Sequence, residues 1–180
     1  MEFDAEKISK IFSAPAVVNL SFKNQELSLK IFPATFWIAP QDKIKLAIEN
    51  IKSELNERLA VLKKHNKLVE YQRLEEKTNY DIEMLQETGF CYGIENYSSQ
   101  LEFRAPGSPP FSLVDYFAYF NPEGFSLFID ESHISLPQIK AMSVGDKARK
   151  ETLINYGFRL PSAIDNRPLK FEEFKERQPE

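Results

Sequence analysis

A chain of 180 residues that is 42% hydrophobic and 13% aromatic can bury the core of one domain or of two small ones. Its 23 basic and 27 acidic residues leave a net charge of -4, which supplies no bulk attraction to nucleic acid or anionic membrane, so any contact with DNA must be local. One cysteine, Cys91, excludes an internal disulfide and has no metal-ligand spacing around it. The N-terminal MEFDAEKISK lacks a signal-peptide apolar run, and no stretch nears the roughly 20 apolar residues of a membrane span, so the composition fits a soluble protein of a reducing cytoplasm.

Short alternating apolar runs (Ile8, Ile11 and Phe12; Val17, Val18 and Leu20; Leu27, Leu29 and Ile31), broken by Asn, Ser and Pro, predict strands over residues 1 to 38. Three such strands make a thin sheet that would struggle alone, and it starts abruptly at Met1, as the later part of a larger sheet would.

At Ala39-Pro40 the period changes. Ile44, Ala47, Ile48, Ile51, Leu55, Leu59 and Leu62 recur at three- and four-residue steps, predicting a long amphipathic helix with Glu54 and Arg58 on its other face. A second helix is predicted from about Leu68 to Thr88, striped by Tyr71, Leu74, Ile82 and Leu85 and ended by Gly89. The pattern by itself asks for no more than a helical hairpin packed on a sheet.

Residues 89 to 124 are rich in Gly, Pro and aromatics and are expected to be irregular; loops of this length are commonly functional, and the aromatic content argues against disorder. Next comes FSLFI, 125 to 129, expected as a strand, followed by Asp130, Glu131, Ser132 and His133. Strands often end in solvated carboxylates. Acids at the C-terminal edge of a strand are also how nucleotide-hydrolysing α/β domains hold magnesium and address the attacking water. After this point Ser135-Leu136-Pro137 opens a short helix, Asp146 is placed to cap another, and Gly157 to end it.

Taken together, QRLEEKTNYDIEMLQETGFCYGIENYS, PPFSLVDYF and FIDESHISLPQIKAMSVGDKARKETLINYGFRLPSAIDNRPLKFEEF resemble the B-subunit family of the bacterial UvrABC excinuclease, over a stretch from about Ile31 to the C-terminus. The resemblance implies an α/β fold: part of a helicase-like lobe of the P-loop NTPase, RecA-like kind with a long helical hairpin, preceded by part of a small β-rich domain. The divisions expected are 1–35 for the β-rich part, which in the family binds the A subunit (UvrA), 36–124 for the helical and loop insertion, and 125–180 for the acid-bearing strand and the helices after it. It further implies a DNA-repair protein that receives damaged DNA from UvrA, verifies the lesion with ATP and magnesium, and recruits UvrC for incision, with no membrane involved.

Carried onto this chain, Asp130 is the magnesium acid, Glu131 the water-activating acid and His133 the motif histidine. Pro161, Ser162 and Ala163 stand in the segment that couples ATP to DNA. Glu95 stands where the family ties its DNA-separating β-hairpin to the helical region, and Lys77 where an arginine is expected. Ala118 to Asn121 exceed the family pattern by four residues, expected as a longer surface loop. For DNA contact the candidates are Phe90, Phe158 and Arg159, because a strand held regardless of sequence needs aromatic faces and a guanidinium; the bland alternative for either Phe is the core. No GxxxxGK[ST] occurs in the 180 residues, so the chain alone is expected neither to bind ATP tightly nor to hydrolyse it. The competing class is a docking module for DNA or a repair partner, without nucleotide chemistry.

Overall fold

The computed structural model describes residues 2–4, 7–13, 24–26 and 40–178, and the chain divides into two units, Met1–Phe36 and Trp37–Glu180. In the first, β1 (Glu2–Asp4), β2 (Lys7–Ser13) and β3 (Asn24–Glu26) form an antiparallel sheet in the order β1-β2-β3. Phe3 pairs with Ile8 and Phe12 with Gln25, with an irregular register between Glu2 and Phe3. The alternation at Ile8, Ile11 and Phe12 thus marks a strand. β3 falls on three polar residues that no apolar alternation signals, and the strands expected around 17–20 and 27–31 lie outside the described residues.

The second unit is built on a hairpin of α1 (Gln41–Lys64) and α2 (Leu68–Thr88). Pro40 precedes the first turn, where Asp42 faces the positive end of the helix, while Lys63 and Lys64 face the negative end. The turn between the helices is made by Asn66 at φ 56°, with Asn66 N–H donating to Lys63 O at 3.1 Å and Lys67 N–H to Leu62 O at 3.0 Å. That left-handed residue and its paired bonds satisfy the last carbonyls of α1 and reverse the chain.

All seven stripe residues of α1, Ile44 to Leu62, are buried. They face Leu74, Ile82 and Leu85 of α2, with Tyr71 partly buried beside them. Burying each such side chain contributes roughly 1.5 to 3 kcal/mol, so the hairpin is held by this seam more than by helix propensity. Gly89, at φ 72°, ends α2 by donating to Leu85 O at 3.1 Å. Cys91, a 3₁₀ turn over Ile94–Tyr97, α3 (Ser98–Leu101) and Leu160 then close the core.

Three expectations are corrected. Residues 113 to 120 form a helix, α4 (Leu113–Phe120), within the stretch read as irregular: Ser112 N–H donates to Asp115 Oδ2 at 2.6 Å as the carboxylate half of a capping box that turn-rich composition conceals, and Ser112 Oγ donates to the same oxygen at 2.7 Å. The helix runs into Ala118–Phe120, so those residues do not lengthen a loop. Ser132 to Asn155 form one helix, α5 (Ser132–Asn155), with Pro137 inside it, where two were expected. Asp146 is interior rather than a cap, because its carboxylate is held along the same helix by Lys150 at 2.8 Å and Arg149 at 3.1 Å. Gly157, at φ 72°, does end the helix; it donates to Ile154 O at 3.2 Å and Phe158 N–H donates to Leu153 O at 2.8 Å.

The third correction concerns the strand expected at FSLFI. Among the described residues of this unit there is no strand, and its regular elements are all helices or 3₁₀ turns, ending in α6 (Phe171–Glu176). FSLFI is irregular chain, with Phe128 92% exposed. A strand exists only where neighbouring backbone answers its N–H and C=O groups, and no described segment lies in that position.

Candidate functional site

The acids open α5. Glu131 is its N-cap in a left-handed conformation at φ 46°, uncommon for a residue with a side chain; its carbonyl accepts Ile134 N–H at 2.8 Å and Ser135 N–H at 2.9 Å. Asp130 Oδ1 accepts the Glu131 N–H at 2.9 Å, and Ser135 Oγ donates to Asp130 O at 2.9 Å. His133 Nδ1 lies 3.4 Å from Glu131 Oε2. All three side chains are exposed. Magnesium in nucleotide sites takes one or two protein carboxylates and fills its remaining positions with phosphate and water oxygens. Asp130 could offer one such carboxylate, and no group of three or more His, Cys, Asp or Glu gathers among the described residues to do more.

The remaining candidates lie at the other end of α5, whose 24 residues span roughly 36 Å. The terminal carbonyls of α5 are met by cations from the hairpin: Arg58 Nη2 donates to Ile154 O at 3.4 Å, Lys67 Nζ to Asn155 O at 3.3 Å and Arg73 Nη1 to Tyr156 O at 2.7 Å. Three cations at a helix C-terminus oppose its negative end. At Gly157 the chain passes so close to α2 that a Cβ there would stand 2.3 Å from Glu70 O.

Phe158 follows, 44% exposed, with the Arg73 guanidinium 4.2 Å from its ring centroid. Arg159 reaches back to Gly93, where an added Cβ would meet Arg159 Nη2 and Glu95 Oε1, each at 3.9 Å. Phe90, 42% exposed, stands edge-on to Tyr92 at 6.0 Å. The structure therefore gathers Glu95 and Arg159 about Gly93, with Phe90 and Tyr92 just before that turn and Phe158 just before Arg159. It leaves Asp130, Glu131 and His133 a helix length away.

Glu95 is exposed and accepts Asn96 Nδ2–H at 3.3 Å. Lys77 does not face it: it pairs with Asp81, a buried carboxylate that also accepts the Tyr97 hydroxyl at 2.7 Å. Burial, then the Asp81 charge, raises the pKa of that hydroxyl.

Pro161–Asp165 form a 3₁₀ turn pinned to α1. Ser162 N–H donates to Glu54 Oε1 at 2.7 Å, while Gln100 Nε2 donates to Ser162 Oγ at 2.6 Å and to Glu54 Oε2. Ala163 is fully buried. Burial pushes the Glu54 carboxyl above its ordinary pKa, opposed by its bonds to Ser162 and Gln100. This corrects the placement of Glu54 and Arg58 on the face away from the apolar stripe, since both are half-buried. Each sits three residues after a stripe position, Ile51 or Leu55, and so flanks the apolar face rather than opposing it. A cleft of 670 Å³ opens between Glu54, Arg58 and the Ser162–Asp165 turn. Asp165 Oδ1 accepts Gly107 N–H at 3.0 Å, and the Arg104 guanidinium donates to Ser98 Oγ at 3.0 Å and to Ser108 O at 3.1 Å.

Sequence reasoning also missed Tyr92, Arg73, Gln100 and Arg104. The aromatic spacing of Phe90 and Tyr92 could have exposed the first; the others reach partners 46 to 83 positions away, Gln100 on Glu54, Arg104 on Asp165 O and Arg73 on Tyr156.

Residues 42–103 match the family described as UvrB third helical domain. The chain is 53% identical over 177 residues to UvrABC system protein B of Caldicellulosiruptor bescii, an alignment covering 98% of this chain and 26% of that protein. It is 60% identical over 147 residues to the Caldicellulosiruptor saccharolyticus protein of the same name, covering 82% and 22%, and 49% identical over 177 residues to that of Bacillus caldotenax, covering 98% and 26%. The chain spans about a quarter of the length of these curated relatives. With the helical hairpin where that family's third helical domain falls, and identity near one half maintained across nearly all its residues, the chain belongs to the UvrABC system protein B family.

Proposed function

We propose that this chain serves nucleotide excision repair, as the part of a damage-verifying subunit that joins a single-strand DNA face to an ATP-driven lobe. The observation that carries the reading is the set of exposed Phe90, Tyr92 and Phe158 with half-buried Arg159 on one end of a helical unit whose sequence follows the UvrABC system protein B family. Aromatic faces with a guanidinium suit a single strand gripped without regard to sequence, each stacked base contributing roughly 1 to 3 kcal/mol. Glu95, exposed beside that set, receives a cation from a DNA-separating hairpin. Pro161, Ser162 and Ala163, tied at Ser162 to Glu54 and Gln100, couple the nucleotide state to DNA.

In this reading Asp130 holds magnesium, Glu131 orients water and His133 reports on the terminal phosphate, with ATP bound through a phosphate loop that these 180 residues do not contain. FSLFI pairs as a strand of the ATPase lobe when its neighbours are supplied. UvrA, UvrC and damaged DNA are the partners, in the cytoplasm. A second reading, a docking module without nucleotide chemistry, is favoured for the chain by itself by the exposure of the acids and the missing phosphate loop.

The test is a transplant. This chain's residues replace the corresponding stretch of the Bacillus caldotenax protein, and DNA-stimulated ATP hydrolysis and lesion-specific loading are measured. Both should survive, and Glu131→Gln in the chimera should abolish turnover while leaving nucleotide binding intact. A chimera that loads onto lesions with unchanged turnover after Glu131→Gln would remove the acids from this role.

A further inference from the structure

We propose that Arg73 is a positioning residue for single-stranded DNA, acting through Phe158. The inference rests on the reading of the Phe158 face as a DNA face and adds to it a residue outside the set that the sequence singles out.

Four contacts fix the ring and the backbone that carries it. The Arg73 guanidinium lies 4.2 Å from the Phe158 ring centroid, within the range where the cation is attracted to the π face. The same guanidinium donates through Nη1 to Tyr156 O at 2.7 Å, two residues before the ring, so its plane is set by backbone rather than by solvent. Between those two points Gly157 presses against the Glu70 backbone, leaving no room for a Cβ, and Phe158 N–H is committed to Leu153 O at 2.8 Å. Arg73 and Glu70 belong to one turn of α2. The ring is therefore clamped to that turn through both its backbone and one of its faces.

A clamped ring suits stacking. A phenyl that must choose its rotamer on binding loses side-chain entropy, whereas one already held offers its open face at little further cost. The chemical class this selects is an unpaired base, flat and uncharged, on the face opposite the guanidinium. The charge of Arg73 serves the ring and the Tyr156 carbonyl, which distinguishes it from a residue that meets phosphate directly.

The experiment titrates the 180-residue chain into labelled oligothymidylate at several salt concentrations, for Arg73→Gln, Arg73→Lys, Phe158→Ala and the Arg73→Gln/Phe158→Ala pair. Helicity and thermal unfolding are followed in parallel. Phe158→Ala is expected to lower affinity about tenfold, the loss of one stacked base. Arg73→Gln should lower it about fivefold with the salt slope unchanged, and the pair no more than Phe158→Ala by itself, because the arginine acts through the ring. Arg73→Lys keeps the charge without the planar stack and should lose about threefold. Multiplying losses with a salt slope reduced by about one would make Arg73 a direct phosphate contact and overturn the inference. Normal binding by Arg73→Gln and Arg73→Lys, with Phe158→Ala weakened, would overturn it while leaving the DNA face standing. Normal binding by Phe158→Ala would sink the DNA face itself, and the inference with it.

Discussion

Two stretches of the second unit are both rich in apolar residues and have opposite fates. From Gln41 to Leu101 the apolar residues close on one another, and Ile51, Leu62, Leu74, Leu85 and Cys91 are sealed completely. From Phe111 to Val144 the chain carries Phe111, Tyr116, Tyr119, Phe120, Phe128 and Val144, all well exposed, and α4 has no buried residue. α5 crosses the boundary: its first 18 residues contribute nothing to the core, which it joins only at Lys150 and Ile154. Apolarity states that a segment is suited to burial, but the covering surface has to come from elsewhere. In the hairpin each helix covers the other. In FSLFI the Phe117 ring stands 5.7 Å from that of Phe125, while Leu127 and Phe128 remain exposed.

The contrast can be broken hardest at Gly157, where the packed region has no slack. Gly157→Ala adds a methyl at a left-handed φ and drives it into the Glu70 backbone, so it should cost at least about 3 kcal/mol, read as a fall in the urea midpoint. Next comes Leu74→Ala, in the middle of the seam, expected to cost about 3 kcal/mol by the loss of transfer energy and the cavity left behind. An unchanged melting temperature for either would mean that the seam is not what holds the unit.

Acid should loosen the packed side by a smaller step. Arg167 binds Glu173 through both guanidinium ends, at 2.7 and 2.8 Å. These bonds, with the Lys170 N–H, hold the Glu173 carboxyl at about 2, below its ordinary 4.5. A depressed carboxylate contributes stability above its unfolded pKa and loses it as the pH falls through the folded one. Discounted for solvent screening, on the order of 1 to 2 kcal/mol should disappear between about pH 4.5 and 2, and Glu173→Gln should flatten that part of the profile. The smallest effect belongs to the open side: Phe128→Ser should shift stability by no more than about 0.5 kcal/mol and improve solubility. A large loss there would show that FSLFI is covered in solution.

What the sequence discloses follows the same divide. The α1 stripe is legible to the residue because a 3.6-residue period has one solution, and Gly89 and Gly157 are legible as stops because only glycine takes their backbone cheaply. FSLFI reads as a strand for a sound reason, its composition, yet strand formation needs a neighbour that composition does not name. Asp130 and Glu131 are legible as a pair, while the ties of Ser162 to Glu54 and Gln100 are not, since those side chains lie 108 and 62 positions away and carry no local signal. α4 was hidden because Pro and Gly surround it, although Ser112 and Asp115 stand three apart, as a capping box requires.

The single thiol of the chain has a practical use. Cys91 is fully buried, and that burial, then the nearby Asp81 charge, pushes its pKa up to about 12, so roughly one thiol in ten thousand is ionised at pH 8. Alkylating reagents will pass it by while the fold holds. A thiol introduced by Phe128→Cys or Val144→Cys would then be the one reactive group on the molecule, a clock whose rate slows when another surface comes to rest on the open side, and which can carry a fluorophore without removal of the native cysteine.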